Sequence, residues 1–146
     1  KFHPVFLSGE YGIGKTRLLQ RILEVEKKYD GAPARLIDLY HFDHHTPEGL
    51  ARAIFKCFEK TENEHYFNPF ITARRRLNEA RAGGDSKAIH EWLQKLLDSC
   101  AEGVKKMSAE RGVLLLFDTA EQFVYPTGAR FAPAAILSRS SRLSAL

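Results

Sequence analysis

Three short apolar runs are separated by segments with helical periodicity. Val5–Ser8, Arg35–Tyr40 and Val113–Phe117 predict buried strands, and the first and last are closed by Gly9 and Asp118. The segments between them carry apolar residues three and four positions apart, the spacing of one helix face. The order strand, helix, strand, two or three helices, strand predicts an α/β domain with a parallel sheet and right-handed crossovers.

The predicted helices begin and end at residues with clear local preferences. The first ends at Gly31, and the second begins at Thr46-Pro47, an N-cap residue followed by a favourable first helical residue. The third covers Phe67–Ala82 and is broken by Gly83-Gly84, and the last ends at Gly112. The last helix carries a long apolar stripe: Ile89, Trp92, Leu93, Leu96, Leu97, Cys100, Val104 and Met107. The stripe predicts a face packed in the core, with a partner-binding face as the alternative.

The composition is that of a soluble globular protein, with 44% hydrophobic and 27% charged residues. No apolar run approaches ~18 residues, the length needed to span a membrane. No signal peptide opens the chain, so we expect a cytoplasmic protein without a membrane partner. Cys57 and Cys100 stand far apart in the sequence, and we expect both to be buried, reduced thiols.

The net charge of +4 is concentrated toward the carboxyl end. Residues 126–146 hold Arg130, Arg139 and Arg142 and no acid, so the preceding body is nearly neutral. Such a body lacks the broad basic surface of nucleic-acid binders, and we expect no nucleic-acid partner for this segment. We expect residues 1–125 to form part of one domain and residues 126–146 an irregular or frayed tail. The absence of an initial Met favours a start inside a longer protein.

Residues 9–16 match the phosphate-binding pattern G-x-x-x-x-G-K-[ST] between a predicted strand and a predicted helix. Glycines let backbone N–H groups turn toward phosphate oxygens, and the helix N-terminus adds a favourable dipole. Lys15 is predicted to bridge the β- and γ-phosphates of ATP, and the Thr16 hydroxyl to ligate Mg²⁺. A chance glycine-rich turn is the alternative. The predicted nucleotide-binding residues are Gly9, Glu10, Tyr11, Gly12, Ile13, Gly14, Lys15, Thr16 and Arg17.

A second part of the predicted site follows the last strand. An apolar run that ends in Asp118 predicts a carboxylate delivered beside the phosphate loop, where it would help to hold Mg²⁺. An ordinary strand end is the alternative. Glu121 is the candidate for orienting the attacking water, with a solvated or structural carboxylate as the alternative. The predicted catalytic residues are therefore Lys15, Asp118 and Glu121, and the predicted metal ligands are Thr16 and Asp118.

Three parts of the chain resemble P-loop ATPases of the AAA and STAND type, which include origin-recognition-like modules. Gly12–Leu19 is similar to their phosphate loop, Leu36–Leu50 to their second strand and following helix, and Leu114–Glu121 to their Walker B segment. The resemblance covers about residues 4–124. It implies an ASCE-type fold, a three-layer α/β/α arrangement around a parallel sheet. Thr119 occupies the place where many such ATPases have a Glu.

The resemblance also implies a function and shows what this segment lacks. It implies an ATP-binding module of a regulatory ATPase, which binds Mg-ATP and signals to effector domains of the same longer chain. Hydrolysis is expected to be slow or absent in isolation, with ATPase activity in the intact protein. A nucleic-acid-associated motor or loader ATPase, a P-loop small-molecule kinase and a non-binding remnant are the alternatives. The fold is expected to be partial, without the sensor strand and lid, and Ala134–Arg139 is a candidate remnant of that strand.

Two further clusters have simple interpretations and functional alternatives. His and Asp cluster in residues 41–45, which we interpret as a solvated loop, with a metal site as the alternative. Arg74–Arg76 and Arg81 are interpreted as a solvated helix face balanced by Glu79 and Asp85, with contact to nucleic-acid phosphates as the alternative.

Overall fold

The computed structural model describes Val5, Leu7, Glu10 and residues 12–28 and 33–119. Helix α1 (Lys15–Lys28) is followed by strand β1 (Ala34–Asp38), helix α2 (Pro47–Phe58), helix α3 (Asn68–Gly83), helix α4 (Ser86–Arg111) and strand β2 (Leu114–Asp118). Two 3-10 helices, Phe42–His45 and Glu64–Phe67, connect β1 to α2 and α2 to α3.

The predicted three-layer α/β/α P-loop fold is wrong for the described residues, which are 71% helical. Their sheet has two strands, and most of the core lies among helices. Val5 and Leu7, from the first predicted strand, belong to no strand and are exposed. An apolar stripe shows that a helix face is buried, but a sheet and another helix can both cover such a face. That ambiguity explains the wrong prediction.

The two strands of the sheet lie close to where the sequence predicts them. They pair in parallel, with Ala34 opposite Leu114 and Asp38 opposite Asp118. The parallel orientation is therefore confirmed for this pair. Helix α1 contacts both strands and buries Leu19. Because the strands are parallel, the residues at the carboxyl ends of β1 and β2 lie at the same edge of the sheet.

Helices α2, α3 and α4 and the second 3-10 helix form the main core. Helix α3 packs along α4, and four phenylalanines cluster between α2 and α3. The Phe55 and Phe70 rings stack with centroids 5.0 Å apart, and those of Phe58 and Phe67 stack at 5.5 Å. The predicted α4 stripe is confirmed as a core face, because its buried apolar residues include Leu96, Cys100, Val104 and Met107.

Local signals at the helix ends are confirmed by the structure. The Thr46 side chain accepts a hydrogen bond from the Gly49 N–H at 3.0 Å, as expected of an N-cap. Gly84 ends α3 in the left-handed region, at φ +68°, and Gly112 ends α4 at φ +71°. Among the described residues, none of the helices has both the length and the apolar character needed to cross a bilayer. The cytoplasmic location stays a prediction.

We expect the two thiols to differ sharply in reactivity. Burial raises the pKa of Cys100 to about 12, so at pH 8 about one molecule in ten thousand carries the reactive thiolate. Burial also raises the pKa of Cys57, which is only half-buried. Iodoacetamide at pH 8 should therefore modify Cys57 well before Cys100, as followed by peptide mass spectrometry. Equal rates in the native chain would contradict the buried position of Cys100, and equal rates in guanidinium serve as the control.

Candidate functional site

The loop before α1 has the backbone of a tight glycine turn. Gly12 has φ +81° and Gly14 has φ +98°, a region that residues with side chains rarely adopt. A Cβ atom added at either glycine would meet no atom within 4 Å, so backbone conformation rather than crowding favours glycine. The Gly14 carbonyl accepts the Leu18 N–H at 3.0 Å. The turn therefore leads directly into the first turn of α1.

The N-terminus of α1 suits an anion. Its first N–H groups lack acceptors within the helix, and no acidic residue stands in its first turn. Lys15 Nζ donates to the Glu10 carbonyl at 3.0 Å across the loop. Ile13, Thr16 and Arg17 are exposed. A phosphate at this position can meet both backbone N–H groups and the lysine side chain.

Two aspartates meet at the carboxyl edge of the sheet. Asp38 and Asp118 end β1 and β2 and are paired in register. Their backbones are therefore about 4.8 Å apart, the usual spacing of neighbouring strands. Thr119 links them, since its N–H donates to Asp118 Oδ1 at 2.9 Å and its hydroxyl to Asp38 Oδ1 at 3.2 Å. The Tyr40 N–H also donates to Asp38 Oδ1, at 2.8 Å. Within the described residues these bonds use Oδ1 alone on both carboxylates.

Thr119 adopts an unusual backbone conformation. Its φ is +61°, an outlier for a β-branched residue, and such conformations cost roughly 1–3 kcal/mol. The two hydrogen bonds to the aspartates offset part of that cost. Thr119 and Asp38 were missed as site residues by sequence reasoning. The available signal was that Asp38 ends the second predicted strand just as Asp118 ends the third.

The histidines after β1 bind backbone carbonyls. His44 Nδ1 lies 2.6 Å from the Asp38 carbonyl oxygen, and His45 Nε2 lies 2.7 Å from that of Leu39. A carbonyl oxygen only accepts hydrogen bonds, so His44 donates through its Nδ1–H and His45 through its Nε2–H. Among residues 12–28, 33–119 and the three isolated described positions, no three His, Cys, Asp or Glu side chains are grouped to hold a metal. The histidines position the turn that follows Asp38.

The structure brings only part of the predicted site together. Because α1 contacts β2 as well as β1, the loop helix and Asp118 lie on touching elements. Among the described residues, Asp118 accepts a hydrogen bond from Thr119 and is paired in register with Asp38. Gly9, Tyr11 and Glu121 lie outside the described residues, as do the tail and the candidate sensor strand. The assigned roles of the loop residues, Asp118 and Glu121 stay predictions.

A groove runs along α2 and reaches β1 at one end. It consists of two adjoining cavities of about 500 and 450 Å³. Both cavities are lined by Asp43, His44, Ala53 and Lys56. The first is also lined by Glu48, Arg52 and Arg81, and the second by Leu36, Asp38 and Cys57. Both ends of the groove therefore carry charged side chains, with two arginines at the first end and more apolar residues at the second.

The arginines near the groove are engaged in several different contacts. Arg81 donates to both carboxylate oxygens of Glu48, at 2.9 and 2.7 Å, and these bonds hold the pKa of Glu48 below its ordinary value. The Arg74 guanidinium lies over the Phe55 ring at 5.1 Å. Arg76 pairs with Glu79 at 3.0 Å, both side chains being about half exposed. The Arg76 pair fits the predicted solvated helix face.

The donor set fits Mg²⁺ bound together with a nucleotide. Mg²⁺ keeps several waters and uses one or two carboxylates plus phosphate oxygens, so it needs no cage of three protein carboxylates. Asp118 offers an oxygen that Thr119 does not use, and Thr16 offers an exposed hydroxyl. The glycine turn and Lys15 offer the donors that phosphate requires.

Comparison of the chain with protein-family models, with curated proteins and with solved structures finds no match.

Proposed function

We propose that this chain is the nucleotide-binding module of a regulatory ATPase, which binds Mg-ATP at the loop before α1. The observation that carries the proposal is the pair of positive-φ glycines, Gly12 and Gly14, directly before a 14-residue helix that has no acid in its first turn. Positive φ at these two positions is the conformation that the glycines of a phosphate-binding loop supply. The exposed loop surface leaves space for phosphates.

Each residue in the proposal has a defined role. The backbone N–H groups of the loop and of the first turn of α1 bind phosphate oxygens. Lys15 exchanges its bond to the Glu10 carbonyl for a bond to the β- or γ-phosphate. Thr16 and Asp118 hold Mg²⁺, which neutralises phosphate charge when it is bound. Asp38 adds negative charge beside Asp118 and favours a cation at this edge of the sheet.

Slow hydrolysis follows from the side chains around Asp118. In-line hydrolysis needs an acceptor that orients the attacking water. The residue after Asp118 is Thr119, whose hydroxyl already donates to Asp38 and which cannot act as a base at neutral pH. The module then acts through binding and conformational change, with effector domains of the same longer chain as its partners. Glu121 remains the proposed water-orienting group in the intact protein.

Thermal unfolding tests the binding step. Mg-ATP at about a hundred times its Kd should stabilise the native chain by about 2.7 kcal/mol, which raises Tm by several degrees. Lys15→Ala should remove most of this ligand-induced shift, because the charge between the phosphates is lost. Lys27→Ala is the matched control, since Lys27 lies exposed in the last turn of the same helix. Each variant is compared with its own nucleotide-free Tm.

Two results would contradict the proposal. The first is the absence of a Tm shift in the wild-type chain with Mg-ATP or Mg-ADP at millimolar concentration. The second is an equal shift in Lys15→Ala and Lys27→Ala. Either result means that the glycine turn does not bind phosphate.

A further inference from the structure

Two cations on α2 line the first end of the groove. Arg52 and Lys56 are four residues apart, so their Cβ atoms lie about 5–6 Å apart on one face of the helix. Both line the first cavity. Arg52 Nη1 is 3.8 Å from Glu48 Oε1, a long contact. Within the described residues, Lys56 takes part in no ion pair or side-chain hydrogen bond. Both cations therefore have donors available for a ligand.

In the first cavity, the cationic side chains outnumber the carboxylates. Glu48 is occupied by Arg81, which donates to both of its oxygens. Asp43 lines both cavities and is the remaining acid of the first. Three cations, Arg52, Lys56 and Arg81, thus face two carboxylates in the first cavity. His44 adds a donor at the shared wall, although its Nδ1 is used by the Asp38 carbonyl.

The second cavity has apolar side chains beside charged and polar ones. It is lined by Leu36, Ile37, Ala53 and Cys57 together with Asp38, His41, Asp43, His44 and Lys56. Asp38 also lines this cavity, and its Oδ1 accepts hydrogen bonds from Tyr40 and Thr119 at the edge of the sheet. Both cavities are open to solvent, so a bound ligand stays partly exposed. A ligand that fills both needs a charged head and a less polar body.

We propose that this groove binds a small organic phosphate, with the phosphate between Arg52 and Lys56 and the organic part along Leu36 and Cys57. A phosphate dianion matches two adjacent cations in charge, and its oxygens accept hydrogen bonds from both side chains. The site is separate from the glycine turn before α1 and does not depend on the nucleotide proposal. The groove lies beside the turn after Asp38, and Asp38 is paired with Asp118. A ligand in the groove can therefore affect Asp118 through Asp38.

Phenyl phosphate is the probe, with calorimetric titration and protection of Cys57 as two readouts. Phenyl phosphate should bind more tightly than inorganic phosphate, because the ring adds apolar contact. It should slow alkylation of Cys57 by iodoacetamide, while phenol at the same concentration should leave that rate unchanged. Equal protection by phenol would overturn the proposal, since the phosphate would then have no role.

Variants that remove one positive charge test where the phosphate binds. Lys56→Gln keeps most of the side-chain length and should raise the Kd for phenyl phosphate about tenfold or more, as expected for loss of a charge-assisted hydrogen bond. Lys106→Gln is the matched control, because Lys106 is an exposed lysine on α4 outside the groove. Equal Kd values for the two variants would rule out the assigned position.

A third variant separates this site from the phosphate loop. Lys15→Ala should leave both the phenyl phosphate Kd and the protection of Cys57 unchanged. Loss of both effects in Lys15→Ala would place the probe at the loop and overturn this inference. Conversely, failure to bind Mg-ATP combined with retained Cys57 protection would remove the nucleotide proposal and keep the groove.

Discussion

Replacement of Phe67 by alanine should lower the free energy of unfolding by about 3–5 kcal/mol, the usual cost of truncating a buried aromatic residue. Phe67 is fully buried. Its ring stacks on Phe58 with centroids 5.5 Å apart and meets Phe55 edge-on at 5.9 Å. A Cβ atom added at Gly103 of α4 would lie 2.9 Å from this ring. Truncation therefore leaves a cavity where α2, the second 3-10 helix and α4 converge.

Urea unfolding followed by circular dichroism measures this loss. Tyr40→Ala is the matched control, because the Tyr40 side chain is 71% exposed and its hydrogen bond to Asp38 uses the backbone N–H. We expect the control to change stability by about 0.5 kcal/mol or less. Similar losses for Phe67→Ala and Tyr40→Ala would contradict a core centred on the phenylalanine cluster.

Gly49→Ala should destabilise the chain by about 3 kcal/mol or more, at the upper end of the cost of overpacking. A Cβ atom at position 49 would overlap the Asp43 carbonyl oxygen. That carbonyl is backbone and cannot rotate away as a side chain would. Relief of the clash requires α2 to separate from the 3-10 helix Phe42–His45, and the N-cap bond from Thr46 to Gly49 would then be disturbed.

Gly83→Ala is the control, and we expect it to leave stability unchanged or to raise it. A Cβ atom at Gly83, in the last turn of α3, would meet nothing within 4 Å. Alanine costs less conformational entropy than glycine in a helix, so Gly83→Ala should be neutral or stabilise by up to ~1 kcal/mol. Thermal and urea unfolding of both variants give the comparison. If Gly49→Ala did not destabilise the chain more than Gly83→Ala does, α2 and the 3-10 helix would not be in close contact.

The candidate site was only partly predictable from its residues. The glycine pattern predicts positive φ before a helix, and Gly12 and Gly14 adopt it, because this requirement is local and depends on the residue itself. The proximity of Asp38 to Asp118 depends on strand pairing between residues eighty positions apart in the chain. The charged groove likewise joins Glu48 of α2 to Arg81 at the end of α3. No local pattern specifies such contacts.

The sequence by itself determined where α2 begins and where α3 and α4 end, but it wrongly predicted a strand at Val5 and Leu7. Thr46, Gly84 and Gly112 act through hydrogen bonds and backbone preferences within a few residues, so their effects survive in any tertiary arrangement. Only the tertiary structure decided what covers each apolar face. The stripe of α4 packs in a helical core with α3 and the phenylalanine cluster, rather than against a large sheet. Burial of apolar area is non-directional, so periodicity identifies the buried face, and shape complementarity with distant residues selects its partner.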